Sequence, residues 1–172
     1  MTRHLFLQGD ARVGLQIVPA GSVHCCVTSP PYFRQRDYLA DGQIGLEETP
    51  ADYVAALVEV CRGVWQALRE DGTFWLNVGD SHARKTYDDP LYGRITEGSL
   101  IGIPWMLAFA LRREGWILRM DNIWAKTKPK PSSVKNSTTP SHEYIFHLTK
   151  IPTGYFYDRE AILEPLKHPE AT

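Results

Sequence analysis

The residues best suited to chemistry form a short stretch, Ser29-Pro30-Pro31-Tyr32, that ends an apolar run. Proline has no backbone N–H and holds φ at about −65°, so neither a strand nor a helix continues through two of them. The Ser29 hydroxyl and the Pro30 carbonyl are hydrogen-bond acceptors, and Tyr32 offers a flat aromatic face. A planar group that carries an amine, such as a nucleobase, would satisfy all three. A rigid turn after a strand is the simpler interpretation of the same residues.

A sheet must hold this stretch, and the sequence alternates between strand-like and helix-like segments. Strands are predicted at residues 4–8, 23–28, 73–78, 116–124 and 143–149. Helices are predicted at residues 11–18, 50–68 and 104–114. Thr49 is a suitable N-cap for the second helix, because Pro50 fits the first helical position and Asp52 completes a capping box. This order predicts an α/β fold with a mainly parallel, doubly wound sheet, helices on both faces and an antiparallel pair of strands at one edge.

The composition fits one globular domain with no overall attraction to nucleic acid. The 172 residues carry a formal net charge of −1, so any basic surface must be local. The three cysteines are odd in number and lack Cys-x-x-Cys spacing, which favours reduced thiols over a disulfide framework. The sequence has no apolar leader segment and no run long enough to span a membrane. We therefore expect a soluble, cytoplasmic protein that contacts no membrane.

Three segments show neither helical nor strand periodicity. We expect residues 81–99 and 126–141 to be mobile loops, and residues 155–172 to form a peripheral tail.

Basic residues cluster near the predicted carboxyl ends of the strands, where open α/β sheets bind their ligands. These residues are Arg34, Arg36, Lys126, Lys128, Lys130 and Lys135. They are either ordinary solvated loop residues or contacts to phosphate.

A zinc site is not expected at His142-Glu143. Phe146 stands where a His-Glu-x-x-His motif needs its second histidine, and His147 falls on the opposite face of a strand. The sequence therefore predicts no metal.

The Ser29–Tyr32 stretch and an ordered series of further segments resemble the DNA amino-methyltransferases that modify cytosine N4 or adenine N6, in their permuted beta class. The stretch resembles motif IV of that family, (Asp/Asn/Ser)-Pro-Pro-(Tyr/Phe). The other matching segments, in order, are Gly9-Asp10, the residues TSPPYFRQRDY around motif IV, GQIGLEETPADYV, DGTFWLNVGDS, IPWMLAFALRREGW and IWAKTKPKPSSVKNSTTPSHEYIFHLTK. The resemblance covers residues 4–165.

The resemblance implies a partial Rossmann-like sheet, S-adenosyl-L-methionine as the methyl donor and DNA as the partner. It implies that Ser29 and the carbonyl of Pro30 bind the exocyclic amine of a flipped base, and that Tyr32 stacks on that base. Pro31 belongs to the same catalytic motif. The resemblance also implies that Ser29 and Pro30 lie next to the cofactor. Asp10 matches the acid that binds the adenine amine of the cofactor, and His142 lies in a segment near the base.

One block of the family is missing from these 172 residues. The family uses a glycine-rich Phe-x-Gly-x-Gly loop beside the cofactor, whereas none of the 13 glycines forms a Gly-x-Gly. We therefore expect the amino-terminal half of a methyltransferase domain, with a carboxyl-terminal half or a second copy covering an open sheet edge. A truncated product, one chain of a split enzyme and an inactive remnant remain open.

The serine that begins the tetrad favours cytosine N4 as the target, since aspartate is commoner in the adenine-N6 enzymes. Adenine N6 is the alternative within the same chemistry. Methylation of RNA or protein glutamine, usually accompanied by Asn-Pro-Pro-Tyr, and a nucleic-acid-binding remnant without catalysis are alternatives outside it.

Overall fold

The computed structural model describes residues 3–129 and 137–164. Its strands are β1 (Val23–Thr28), β2 (Leu68–Val78), β3 (Tyr87–Asp89), β4 (Gly93–Ile95), β5 (Ile117–Ala125) and β6 (His142–Thr149). The main sheet has the order β1-β2-β6-β5, in which β1 and β2 are parallel and β6 is antiparallel to both of its neighbours. Strands β1, β2 and β5 therefore run in one direction, and the predicted antiparallel pair of β5 and β6 is confirmed.

The helices are α1 (Ala11–Gly14), α2 (Pro50–Ala67) and α3 (Ile103–Arg113), with 3-10 turns at Leu15–Ile17 and Glu160–Ile162. Helix α2 begins as predicted, because the Thr49 hydroxyl accepts the backbone N–H of Asp52 at 3.1 Å and donates to its carboxylate at 2.7 Å. None of the helices in the described part of the chain is long and apolar enough to cross a membrane.

The carboxylate of Asp80, just after β2, caps the first turn of α3. It accepts the backbone N–H groups of Gly102 and Ile103 at 2.9–3.1 Å. Gly102 has φ of +85°, a conformation that glycine adopts without strain. This contact fixes the start of α3 at the carboxyl end of β2.

One face of the sheet packs against α2 and α3 to form the core. Phe74 and Leu148 are register partners on β2 and β6, and both are fully buried. The Trp105 ring of α3 contacts Phe146 edge-on at 5.4 Å, and Trp65 of α2 contacts Trp116 at 4.8 Å. Trp65 and Trp105 thus pack against the core from the helix side.

The opposite face of the sheet is largely open among the described residues. Trp75 stacks on His147 there at 4.1 Å, and Tyr155 and Tyr157 pack on the same imidazole. No helix of the described segments covers Val27, which is 76% exposed. Helices were predicted on both faces, and the described residues place them on one.

The prediction of a strand at 4–8 is wrong, because these residues have no regular structure. Leu5 is 84% and Phe6 91% exposed. A strand needs a hydrogen-bonded neighbour, and β1, at the edge of the described sheet, pairs only with β2. An apolar run alone therefore does not make this segment a strand in the described part of the chain.

The segment 81–99 is not the structureless loop that was predicted. It contains the antiparallel hairpin of β3 and β4, whose residues Tyr87 and Ile95 are buried in the core. Both strands have three residues, too few for a periodicity to show. The described parts of 126–141 lack helix or strand, as predicted, whereas 130–136 and 165–172 lie outside the described residues.

Candidate active site at the carboxyl ends of β1 and β2

The Ser29–Tyr32 stretch follows the carboxyl end of β1, where the sequence predicts it. The buried Tyr53 of α2 donates its hydroxyl to the carbonyl oxygen of Pro31 at 2.8 Å. Gly45 packs on the other side, where an added Cβ would lie 3.2 Å from the Tyr32 carbonyl oxygen. Ser29 itself is exposed. The stretch is thus anchored through its backbone, and its first side chain is accessible.

The hydroxyl of Tyr32 is held by polar groups on β2 and β6. It donates to the Oε2 atom of Glu143 at 2.8 Å, and the Oδ1 atom of Asn77 lies within range at 3.1 Å. Burial raises the pKa of Tyr32 to about 12, against a smaller opposite effect of the Ser29 hydroxyl. Tyr32 is therefore neutral at physiological pH.

Glu143 also forms an ion pair with Lys126. Burial alone would raise the pKa of Glu143, but its hydrogen bonds with Lys126 and Tyr32 hold that pKa below its ordinary value. The Asn77 side chain donates to the carbonyl of Tyr144 at 3.1 Å. A charged carboxylate and an amide anchored to the backbone thus face the same phenol.

Asp10 lies at the amino terminus of α1, exposed to solvent. Its carboxylate accepts the backbone N–H of Arg12 at 2.8 Å and is paired with the guanidinium of the same residue. The hydrogen bonds from Arg12 lower the pKa of Asp10 to about 2. Arg12 also donates to the carbonyl of Gly42 at 3.1 Å. Asp10 is therefore a charged hydrogen-bond acceptor. It was predicted to follow a strand, but it follows an irregular segment and caps a short helix.

The basic residues after the tetrad differ in their surroundings. Arg34 has φ of +52°, and its guanidinium donates to the carbonyl of Glu47 at 3.0 Å, so its side chain is occupied in holding the loop. Arg36 is exposed and lines an open cavity of about 370 Å³ together with Arg34 and Arg84. Arg84 donates to the carbonyl of Arg34 at 2.6 Å.

The structure separates the other predicted contact residues. Lys126 is paired with Glu143, Lys128 is exposed, and Lys135 lies outside the described residues. His142 is exposed at the start of β6, with its ring 5.2 Å from that of Tyr144. Within residues 3–129 and 137–164, no three His, Cys, Asp or Glu side chains are placed to hold a metal ion.

Sequence reasoning missed several residues around Tyr32. Asn77, Gly79 and Glu143 surround its ring or hydroxyl, and Arg84 joins the basic cavity. Asn77 and Gly79 could have been found from one feature of the sequence, because a polar residue and a glycine stand at the end of an otherwise apolar strand. Glu143 was set aside with the absent zinc motif, and nothing local indicated its distant partner.

The sequence of the chain matches a known family over residues 23–172, and that family is described as DNA methylase. The fold defines an α/β sheet protein with a candidate site at its strand ends. The family match is more specific than the fold: the chain belongs to the DNA methylase family.

Curated relatives are type II methyltransferases. M.SmaI of Serratia marcescens is 45% identical over 94% of this chain and 61% of its own length. M.Cfr9I of Citrobacter freundii is 43% identical over 91% of this chain and 57% of its own length. The chain therefore spans about three fifths of the length of these relatives.

Solved structures share the fold. A candidate DNA modification methylase of Thermus thermophilus, complexed with S-adenosyl-L-methionine, has a TM-score of 0.62 and 27% identity, over 89% of this chain and 57% of that one. The cytosine-N4-specific PvuII DNA methyltransferase has a TM-score of 0.63 at 20% identity, over 83% of this chain and 48% of that one. The second likeness concerns the fold alone.

Proposed function

We propose that this chain forms the base-binding side of a DNA amino-methyltransferase. The observation that carries the proposal is the anchored Ser29–Tyr32 stretch at the carboxyl end of β1, with the Tyr32 hydroxyl held by Glu143. Membership of the DNA methylase family and the type II methyltransferase relatives support it.

The roles of the tetrad follow from its chemistry. The exocyclic amine of a base is a poor nucleophile because its lone pair is delocalised into the ring. The Ser29 hydroxyl and the Pro30 carbonyl accept its two N–H groups, which draws the lone pair out of conjugation. Pro31 fixes the backbone between these acceptors and Tyr32, on whose ring the flipped base stacks. Orientation and electrostatics then supply the rate acceleration.

S-adenosyl-L-methionine would supply an activated methyl group. Two residues have a suitable chemistry for it: Asp10 is a charged acceptor for an adenine amine, and Ser29 is exposed next to the open edge of β1. The fit is partial, because the 172 residues contain no Gly-x-Gly at which the cofactor could approach the backbone. The chain thus contributes a part of the cofactor site.

We infer that further polypeptide completes the cofactor side. The free edge of β1, the exposed apolar segment that includes Leu5 and Phe6, and the open face around Val27 all lack a covering element in the described residues. Open edges and apolar faces favour association with another segment. A carboxyl-terminal segment with a Phe-x-Gly-x-Gly loop would cover them, and a homo-oligomer is the alternative.

DNA is the proposed partner, and its backbone would contact basic residues around the tetrad. We propose this role for Arg36 and Arg84, which line one cavity, for the exposed Lys128 just after β5, and for His142 at the exposed start of β6. Arg34 and Lys126 are already paired with protein groups. We therefore propose that Arg34 holds the loop and that Lys126 binds Glu143, rather than contacting phosphate. Lys135 stays a prediction from the sequence.

Cytosine N4 is the favoured target, because serine begins the tetrad. The test combines the chain with the part of M.SmaI that it does not match, incubates both with DNA and the methyl donor, and analyses the nucleosides by mass spectrometry. We expect N4-methylcytosine. N6-methyladenine alone would contradict the choice of base, and the absence of any methylated base would contradict the proposed activity.

Ser29→Ala tests the mechanism in the same assay. We expect kcat to fall more than base affinity, because the hydroxyl binds the amine more strongly in the transition state than in the ground state. Ser22→Ala is the matched control, because Ser22 precedes the amino end of β1, whereas Ser29 follows its carboxyl end. A change in substrate affinity alone would contradict the role assigned to Ser29.

The second candidate is a nucleic-acid-binding remnant of the fold, favoured by the missing glycine loop. Equilibrium binding of S-adenosyl-L-methionine to the completed protein separates the two. Binding in the micromolar range supports the enzyme, and no binding up to millimolar concentration supports the remnant.

A further inference from the structure

Glu143 is a half-buried charge at the candidate site to which the tetrad chemistry gives no role. Its carboxylate accepts the Tyr32 hydroxyl at 2.8 Å across 111 residues of sequence, and its other oxygen pairs with Lys126. A charged acceptor makes a stronger hydrogen bond than a neutral one. Glu143 is therefore the strongest polar contact of the phenol.

The ring of Tyr32 is also restricted sterically by Gly79, at the end of β2. A Cβ added to Gly79 would lie 2.7 Å from the Cε2 atom of Tyr32 and 3.3 Å from Cζ. Real Cβ atoms essentially never come within 3.0 Å of a heavy atom, so the contact with Cε2 means that only glycine leaves the ring where it is. The hydroxyl bond at one end and the close backbone along one side together fix the ring orientation.

We propose that Glu143 is a positioning residue of the methylation site, one that holds the Tyr32 ring at the angle on which the target base stacks. The inference rests on the proposed function, because the ring is assigned to the base there. Lys126 keeps Glu143 charged and oriented. The lysine that sequence reasoning placed on phosphate thus acts on the base pocket through the carboxylate.

The first test needs no catalysis. 3-Fluorotyrosine is incorporated into the chain, the Tyr32 signal is assigned with Tyr32→Phe, and its ionisation is followed by fluorine NMR. Burial is the main cause of the raised pKa of Tyr32 and Glu143 adds to it, so we expect Glu143→Gln to lower the pKa of the labelled phenol. The exposed Glu97→Gln is the matched control and leaves it unchanged. An unchanged phenol pKa in Glu143→Gln overturns the proposal.

The second test measures the affinity for a single-stranded oligonucleotide that contains the target base, in a double-mutant cycle. We expect Glu143→Gln to weaken binding by about tenfold when Tyr32 is present. In the Tyr32→Phe background, it should have no effect. Equal losses in both backgrounds would mean that Glu143 does not act through Tyr32.

The outcomes separate this inference from the function on which it rests. If the unmodified protein binds the base and Glu143→Gln binds it equally well, the positioning role fails while the proposed function stands. If the unmodified protein binds no base, the proposed function fails and the positioning role fails with it.

Discussion

The two sides of the candidate site, the proposed base side and the proposed cofactor side, are built to different degrees. On the base side, the tetrad contacts three separate elements, through Tyr53 of α2, Asn77 of β2 and Glu143 of β6. On the cofactor side, Asp10 caps a four-residue helix, is exposed and has Arg12 and a backbone N–H as its partners. The base side is held by contacts distant in sequence, and the cofactor side by neighbours within two residues.

This difference indicates which part of the chemistry the chain supplies by itself. Contacts between distant elements persist when the sheet is folded, so we propose that the chain holds a preorganised base pocket by itself. The Asp10 carboxylate, by contrast, is held by Arg12, two residues away on a short helix. The comparison therefore predicts that substitutions on the base side are costly, whereas those on the cofactor side matter only in the completed protein.

The largest expected effect is on base binding. Tyr32→Ala should weaken binding of a single-stranded oligonucleotide by about 1–3 kcal/mol, because it removes the stacking ring. Fluorescence anisotropy measures the affinity, and Tyr157→Ala is the control, because the Tyr157 ring packs on His147 rather than on the tetrad. Equal losses in the two variants would contradict the assigned base pocket.

Gly79→Ala should destabilise the fold by about 1–3 kcal/mol, since the added Cβ would lie 2.7 Å from the Tyr32 ring. Gly14→Ala is matched to it, because no atom lies within 4 Å of that Cβ position. Urea denaturation gives both free energies of unfolding. Equal stability of the two variants would mean that the tetrad relaxes freely.

The two aspartates that cap helices give a sharper comparison. Asp80→Ala should cost about 0.5–2 kcal/mol, because its carboxylate accepts the backbone N–H groups that begin α3. Asp10→Ala should cost less than Asp80→Ala, because α1 contributes no buried residue and Asp10 is held by Arg12, two residues away. A comparable loss for Asp10→Ala would show that the cofactor side is already integrated into the fold.

Glu143 predicts the smallest effect, a pH dependence. Its pKa in the folded state lies below the ordinary value of 4.5, so its contribution to stability is present above about pH 4.5 and is lost as the pH falls through the folded pKa. Glu143→Gln should therefore be less stable than the unmodified chain at pH 7, and the difference should shrink toward pH 3. Urea unfolding at a series of pH values measures it, and a difference that grows on acidification contradicts the lowered pKa.

The sequence predicted the elements that local signals specify. Thr49 and Asp52 correctly predicted the start of α2. The apolar run before Ser29 correctly predicted β1 and the position of the tetrad. The segment 4–8 was mispredicted because an apolar run forms a strand only beside a partner. The contact between Glu143 and Tyr32 was not predicted, because the two residues lie 111 positions apart and no local pattern in the sequence indicates such a pair.

We propose that these 172 residues provide a base pocket and only part of a cofactor site. Methylation of DNA by the purified chain, with its mass verified, tests the claim most directly, alone and together with the unmatched part of M.SmaI. We predict negligible methylation by the chain alone and methylation restored by the added segment. Robust methylation by the chain alone would contradict the account.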